Sequence, residues 1–550
     1  MFSNGFGSRI KLTANTGSEI KGDIIASQGG KVDASLTGGL LVGNAQTAAE
    51  WKNKADDTKD LAQNNLILAN SKWIATLTEP EVGSRVNVLK LTDSLVKFAH
   101  DENPINSTNI IKGIGGTLDV YNELTAKDST FRLNIIPNVD VSKTTDELGY
   151  ANRIDVYGTF KGSALLDLNN VGGMPDVKNK REGIGTVLAR VKDGDGKFVA
   201  KEGVGSLYHM RYILATREAT DDNFKTDWYL ADIIPLNTTT PLLDTVNSQL
   251  ASTYYGLLDN IKLMQRMGEL RHNKYIDLPN NLWARFDQKR SKRSGEFNYR
   301  DRQRTFEFGI DRMVQHNTDW DRWLGISASL GDGESTYLTG SGKNYTKALS
   351  IYFVGEQANG WYYDAWAKIT RNKARYSIDD ETQSLYQSEF TQWGTTLNLE
   401  VGKRFWSKEH RYFIEPQGQI TGVWVRSDDQ NVTQTKQDEA AKSIKIVSTT
   451  KPGVLGRLGA NFGWNVNPNS ELYGKFNVLH VFSGRYDNHF VAPEEERFTN
   501  GNFKTTWVQY GVGVSTVYKE KMHLYADIER NQGKGGNSSW RWNIGARYNF

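Results

Sequence analysis

The chain has 550 residues, no cysteine, and 67 Lys+Arg against 64 Asp+Glu. That length exceeds one ordinary domain, near-balanced charge leaves no electrostatic footprint for nucleic acid, and the missing cysteines exclude a disulfide framework while suiting export through an oxidising compartment. The longest apolar runs, such as Ile351 to Val354, fall far short of the ~20 residues of a membrane helix. Barrel strands alternate lipid-facing and lumen-facing residues, so low mean hydropathy does not exclude a membrane barrel.

The N-terminus, Met1-Phe2-Ser3-Asn4-Gly5, has neither the basic nor the apolar stretch of a signal peptide. An exported chain needs one, so this one reads as a C-terminal fragment or a misassigned start. Residues 1–235 are rich in Gly, Asn, Asp, Thr and Ser, with short β-branched runs at Ser8–Leu12, Glu19–Ile25, Val86–Leu91 and Gly116–Val120. Strands of about five residues recurring every 15–25 suggest stacked rungs of a parallel β-helix. Thr47–Leu66, charged and alanine-containing, interrupts them as a short helix or an excursion. Asp193-Gly194-Asp195-Gly196 has the look of a calcium loop without the remaining ligands, and reads as a hairpin turn.

From Pro241 to Arg271 the grammar changes. Leu243, Val246, Leu250, Tyr254, Leu257, Ile261 and Met264 recur at steps of three and four, one stripe of a helix. It either packs on a core surface or, at ~1.5 Å per residue, threads the ~25 Å apolar band of a barrel. The second arrangement is favoured because the helix ends just before the first strand.

After residue 280 twelve of the 15 tryptophans appear, as the aromatic girdles of a membrane barrel predict and as an aromatic-rich soluble sandwich would also show. Alternating segments lie near 281–290, 304–314, 322–334, 347–357, 361–376, 391–405, 411–426, 451–466, 470–484, 503–519, 522–532 and 538–550. Short turns (Asn317–Asp319, Ser407–Glu409, Pro468-Asn469) alternate with long polar loops (Asp428–Ser443, Tyr486–Asn502). An even strand count puts both barrel ends on the side of the short turns. In the last segment Trp540, Trp542, Ile544, Ala546, Tyr548 and Phe550 share one face, and Arg541, Asn543, Gly545, Arg547 and Asn549 the other. The chain stops on the aromatic.

With these pieces in order, the C-terminal ~310 residues resemble the translocator of monomeric autotransporters (type V secretion). The resemblance rests on Gln265–Arg271 closing the helix, Asn281–Arg285 opening the barrel, Phe413–Gln419 in mid-barrel, Gly456–Gly459 in the next strand, and terminal Phe550. It implies an all-β fold: a 12-stranded transmembrane barrel with a pore-spanning helix, preceded by the last rungs of a right-handed parallel β-helix. Implied boundaries are a pertactin-like passenger segment at 1–113, an autochaperone-like end of the β-helix at 114–235, a linker with the pore helix at 236–275, and the barrel at 276–550.

The resemblance also implies roles. Trp540, Trp542, Ile544, Tyr548 and Phe550 would form the signal read by the barrel-assembly machinery. Leu250, Tyr254, Leu257, Ile261, Met264, Arg266 and Gly268 would line the pore helix. Trp283, Glu415, Gln417, Gln419, Arg457 and Gly459 would form the barrel motif. Ile154, Val156, Gly158, Leu166, Leu168, Tyr212, Trp228 and Leu230 would form the autochaperone core. A self-cleaving subgroup cuts at an Asn-Asn pair; the matching positions here are Ile261 and Lys262, so the passenger is expected to stay attached. Pro416 has no first-principles place in a central strand.

The expected function is an outer-membrane translocator that exports and anchors its own surface passenger, adhesive in character. The rivals are a plain porin, and the anchor of a surface hydrolase whose catalytic part lies elsewhere. No catalytic residue, cofactor or metal is expected: nucleophile elbows, His-Glu-x-x-His and phosphate loops are absent. His480, Asp487 and His489 cluster in sequence near an external loop, but read as loop polarity. The basic cluster Lys289–Arg304 reads either as a contact for lipopolysaccharide phosphates or as a solvated loop. Expected partners are outer-membrane lipids and lipopolysaccharide, the assembly machinery, periplasmic chaperones, and a host or bacterial surface ligand; the barrel is expected to be monomeric.

Overall fold

The computed structural model describes the whole chain except residues 6, 48–61, 78–82, 101–115, 137–149, 171–184, 259–262, 264–279, 381–383, 437–440, 494, 520 and 534–536. Of the excursion expected over Thr47–Leu66, residues 48–61 lie outside the described residues, and Gln63–Leu66 are part of a strand instead. The chain divides into two compact units after Thr240.

In the first unit, alternation builds a stack of parallel coils. Strands Arg9–Ala14, Lys31–Thr37, Gln63–Ala69, Ser84–Thr92, Thr117–Ile136 and Arg153–Asn170 pair in that order, every pair parallel. Register places Leu12, Ala34, Leu66, Leu89, Leu124 and Phe160 in one column. All but Leu12 are buried, so each coil covers the apolar face of its neighbour, the arrangement a parallel β-helix requires. A second parallel face joins Glu19–Lys21, Leu40–Val42, Lys72–Leu77 and Leu95–His100. A third joins Phe2–Asn4, Ile24–Ser27 and Ala45–Thr47.

The corner between the first two faces is chemically regular. Asn70, Asp93 and Asp128 all adopt the left-handed conformation, with φ of 47°, 47° and 48°, which Asn and Asp tolerate better than other side chains. A serine follows each. The amide of Ser71 donates to Ser94 Oγ (3.1 Å), and that of Ser94 to Ser129 Oγ (3.1 Å). Each hydroxyl donates back to a carbonyl two residues earlier. This ladder satisfies buried corner amides that strand pairing cannot reach.

Asp193–Gly196 is one more corner and not the expected hairpin. The strands on either side, Thr186–Gly194 and Lys197–Ala200, both run parallel to Arg153–Asn170. The stack then ends in an antiparallel hairpin, His209–Glu218 with Thr226–Leu236. Its second strand also pairs antiparallel with Thr186–Gly194, covering an edge that would otherwise invite aggregation.

The second unit is a closed antiparallel barrel of twelve long strands. They are β1 Asn280–Arg293, β2 Tyr299–His316, β3 Trp320–Thr336, β4 Gly340–Gln357, β5 Trp361–Asp379, β6 Ser384–Lys403, β7 Tyr412–Ser427, β8 Lys442–Asn467, β9 Ser470–Val491, β10 Thr505–Tyr518, β11 Met522–Gly533 and β12 Ser538–Asn549. Each pairs with the next, and β12 closes on β1 through pairs such as Leu282↔Tyr548. Helix α1, Pro241–Leu258, precedes them.

All twelve expected segments are strands, but several run further. The two expected long loops are partly sheet: β8 begins at Lys442, β9 continues to Val491, and short strands Gln430–Lys436 and Glu496–Asn502 pair with them. Likewise Lys289–Arg304 is no solvated loop. Most of it is paired strand, with Arg290 opposite Arg302 and Lys292 opposite Arg300.

Burial is inside-out. Leu282, Phe308, Ile326, Leu349, Ile369, Leu397, Leu458 and Val512 point outward and are exposed, whereas the inward row carries charge. On β12, Trp540, Trp542, Ile544, Tyr548 and Phe550 are 41–54% exposed, while Arg541, Asn543, Arg547 and Asn549 are buried. An apolar belt of this extent on the outside of a closed barrel needs hydrocarbon around it. Outward residues Trp361 to Ile369 of β5 span eight steps of ~3.4 Å, about 27 Å along the strand, or ~21 Å after a ~40° tilt, close to the ~25 Å band of outer-membrane barrels.

Candidate functional site

The candidate site is the barrel lumen and the helix inside it. Thr240-Pro241 starts α1, proline being tolerated at the first helical position, with Asp244 in the first turn. The helix is buried on all sides: apolar Leu242, Leu243, Val246, Leu250 and Tyr254, but equally Asp244, Thr245, Ser248, Gln249 and Ser252. A helix on a core surface would keep its polar face in water. Here that face meets a polar wall.

At the loop end, the Asn298 amide donates to Ser248 Oγ (2.8 Å) and its side chain to Asp244 (2.9 Å). Asn488 donates to Asn247 (2.8 Å). Deeper in, Gln249 and Thr253 both donate to Gln392 Oε1, at 3.0 and 2.8 Å, and Ser252 donates to Asp301. The Tyr255 hydroxyl donates to the Phe503 carbonyl (2.8 Å) while the Arg293 guanidinium lies 3.4 Å from the Tyr255 ring centroid.

The apolar stripe seats in notches cut by glycine. Tyr254 stacks on Phe503 with ring centroids 3.9 Å apart and donates to the Lys451 carbonyl (3.2 Å). A Cβ at Gly453 would fall 1.9 Å from the Tyr254 hydroxyl, and one at Gly484 2.3 Å from it. Pairing of β8 with β9 is irregular between Lys451 and Leu455, so an irregular stretch of the wall opens the notch. A Cβ at Gly394 would lie 2.4 Å from Leu257. Leu250 is buried in the same lumen. Ile261, Met264, Arg266 and Gly268 fall outside the described residues. Leu263, which is described, packs with Trp283, Trp323, Tyr352 and Tyr362 near the turn end, so the helical segment runs from the loop end toward the turns.

Below α1 the wall is cross-linked by buried charge. Arg457 contacts Glu400 (2.9 Å), Gln419 (2.6 Å) and Asn477 (2.9 Å). Arg404 bridges Glu415 (2.6 Å) and Glu471 (2.9 Å). Arg285 bonds Glu307 (2.9 Å), Lys475 lies 3.0 Å from both Asp527 and Glu529, and Arg547 bonds Asp311 (3.0 Å). Burying single charges is costly, whereas hydrogen-bonded pairs from different strands hold the wall in one geometry.

These contacts bring the expected barrel motif together. Trp283 points inward and donates to the Tyr352 hydroxyl (2.6 Å). The Gln417 amide lies 2.9 Å from the Tyr362 hydroxyl. A Cβ at Gly459 would strike Asn477 at 2.2 Å, so the glycine leaves room for the Asn477–Arg457 contact. Sequence reading missed Arg404, Glu400, Glu471, Arg285 and Glu307. Their signal was opposite charge at inward parity on different strands. Pro416 also finds its reason. The β6–β7 ladder stops at Gly402↔Gln417 and resumes at Phe405↔Ile414, and between them the Arg404 amide turns to the Gly360 carbonyl (2.9 Å). The donor that proline lacks falls in this gap.

His480, Asp487 and His489 each turn to a different partner. His480 contacts the Thr506 hydroxyl (2.7 Å), His489 the Glu496 carboxylate (3.3 Å), and Asp487 pairs with Arg485 (3.0 Å). In the first unit, Ile154, Val156, Leu166, Leu168, Tyr212 and Leu230 are buried together. Half-buried Trp228 meets Phe198 edge-on at 5.6 Å. Gly158 lies so close to the Asn122 carbonyl that a Cβ would stand 2.0 Å away.

The autotransporter β-domain family model matches residues 282–529. The chain is 24% identical over 543 residues to the probable autotransporter YcgV of Escherichia coli, covering 90% of this chain and 51% of that protein. It is 24% identical over 460 residues to the autotransporter CRAC of Citrobacter rodentium, covering 79% of this chain and 26% of that one. The chain thus spans about half or less of the length of these relatives. Among solved structures, the translocator domain of NalP from Neisseria meningitidis aligns at 13% identity over 56% of this chain and 95% of that chain, with a TM-score of 0.41.

Proposed function

Residues 282–529 being an autotransporter β-domain of the bacterial outer membrane, we propose that the barrel exports the residues before it to the cell surface and then holds them there through α1. The observation that carries this is the buried helix: a segment threaded from the loop end through a polar lumen is what remains after a chain has passed outward. A porin has no use for a helix keyed into its wall by glycine notches.

Export needs a source of work without bound nucleotide. Each coil of the first unit that forms outside buries a column of apolar side chains and pairs its backbone groups, and a folded coil cannot re-enter the pore. The antiparallel cap at His209–Leu236, with the buried cluster around Ile154 and Leu166, emerges first and would nucleate the stack, the role of an autochaperone. Its exposed charged faces suit adhesion to a surface ligand. The assembly machinery would read the outward row Trp540, Trp542, Ile544, Tyr548 and Phe550.

The test is protease treatment of intact cells expressing the chain behind a secretory signal peptide, followed by electrophoresis with and without boiling. The proposal expects a protected fragment starting near Pro241 whose mobility changes on boiling. A chain wholly protected from external protease would contradict it.

A further inference from the structure

The outward surface of the barrel carries a charge pattern that export does not use. Near the loop end, Arg290 stands opposite Arg302, and Lys292 opposite Arg300, on β1 and β2. On β4 and β5, Lys343 stands opposite Arg375, and Lys347 opposite Arg371. All eight are exposed. Like charges directly opposite across a sheet repel. Arg302 and Lys343 both also face Glu334, and Arg375 faces Glu389, on their other neighbouring strands. Lys347 and Arg371 face Leu330 and Trp393 there, so this pair has no carboxylate directly opposite it. The turn end of the same belt carries Tyr412, Trp464, Tyr548 and Phe550 instead.

One of these pairs adjoins a second feature. One outward step toward the membrane from Lys347↔Arg371 lies the pair Leu349↔Ile369, which walls an outward-facing recess continued by Ile326, Ala328, Ile351 and Ala367. The recess is hollow because two of its members are alanine where neighbouring outward positions carry Leu or Ile.

We propose that this is a binding site for a phosphorylated lipid of the outer leaflet, its headgroup phosphate held between Lys347 and Arg371 and an acyl chain lying in the recess. Guanidinium and ammonium groups clamp phosphate oxygens well. The adjoining hydrocarbon slot selects a lipid over free phosphate. The assignment rests on the outer-membrane reading above and adds a position and a chemistry to it: the loop-end edge is the one that meets anionic headgroups.

The test uses the full chain refolded into phosphatidylcholine nanodiscs doped with bis-phosphorylated lipid A, with retained lipid counted by native mass spectrometry. Wild type should retain the lipid, and Lys347→Gln with Arg371→Gln should lower retention about tenfold or more, each surface cation contributing roughly a kcal/mol toward an anionic headgroup. Ala328→Leu, which fills the recess and leaves every charge, should lower it as well. Dephosphorylated lipid A should be retained poorly by all chains, and excess inorganic phosphate should not displace the lipid. Equal retention by wild type and both variants, or equal retention of the dephosphorylated lipid, overturns the site. Boil-sensitive mobility is read on every sample. Its loss in wild type would overturn the barrel reading itself, whereas its presence with unchanged retention overturns only the lipid site.

Discussion

Gly453→Ala should loosen the helix from the lumen wall. The new Cβ would stand 1.9 Å from the Tyr254 hydroxyl, and Gly484 packs against the same hydroxyl so closely that a Cβ there would stand 2.3 Å away, leaving the ring little room to shift. Tyr254 must leave its stack on Phe503 and its bond to Lys451. Overpacking costs ~1–3 kcal/mol, and the lost hydrogen bond and ring contact add ~1–2 kcal/mol, so undocking becomes easier by about 2–5 kcal/mol. At 1.4 kcal/mol per tenfold, that is roughly 30- to 4,000-fold in the docked-to-undocked ratio. Hydrogen exchange of the α1 amides reads the ratio directly, because they open when the helix leaves the wall. Tyr254→Ala removes the clashing atom, so Gly453→Ala should add almost nothing in its background. Unchanged α1 protection in Gly453→Ala, or an additive double variant, would refute the notch.

Arg457→Ala would strand Glu400 in the lumen and cost ~3–5 kcal/mol; the temperature at which the folded gel form converts should fall clearly, and an unchanged temperature would show the cluster is dispensable. Deleting Phe550 removes the last outward aromatic of β12 and should sharply lower the amount of inserted barrel; wild-type levels would sink its role in assembly. In the first unit, hydrogen bonds from Lys161 and then Lys90 hold the Glu123 carboxyl at about 2 instead of 4.5. A depressed pKa gives stability that is complete above pH 4.5 and is lost as pH falls toward 2. Exchange in the strand of Glu123 should therefore rise over that window in the full chain, and Glu123→Gln should flatten the rise; an identical profile would disprove the linkage.

Strand parity was legible residue by residue. The terminal segment read as an aromatic face and a polar face is, in the structure, an outward row from Trp540 to Phe550 and an inward row from Arg541 to Asn549, because period 2 fixes facing once a strand exists. Partners were not legible. Arg404 meets Glu471, and Tyr254 meets Gly453 and Gly484, only through the register of strands far apart in sequence. Strand ends were read short because polar residues such as Gln430–Lys436 resemble loops once the hairpin rises above the hydrocarbon, although backbone pairing continues. The repeat of the first unit looked loose because coil length varies. Its regular mark was the dipeptide Asn70-Ser71, Asp93-Ser94, Asp128-Ser129, where a left-handed corner favours Asn or Asp.

The central claim is tested most directly by cysteine labelling on intact cells, which the chain permits because it has no cysteine of its own. Single cysteines would replace exposed Lys11 in the first unit and Asn469 in the turn between β8 and β9, and a membrane-impermeant maleimide would be added with and without outer-membrane permeabilisation. The account predicts that Lys11→Cys is labelled on intact cells and Asn469→Cys only after permeabilisation. Labelling of Asn469→Cys on intact cells, or protection of Lys11→Cys, would contradict export through this barrel.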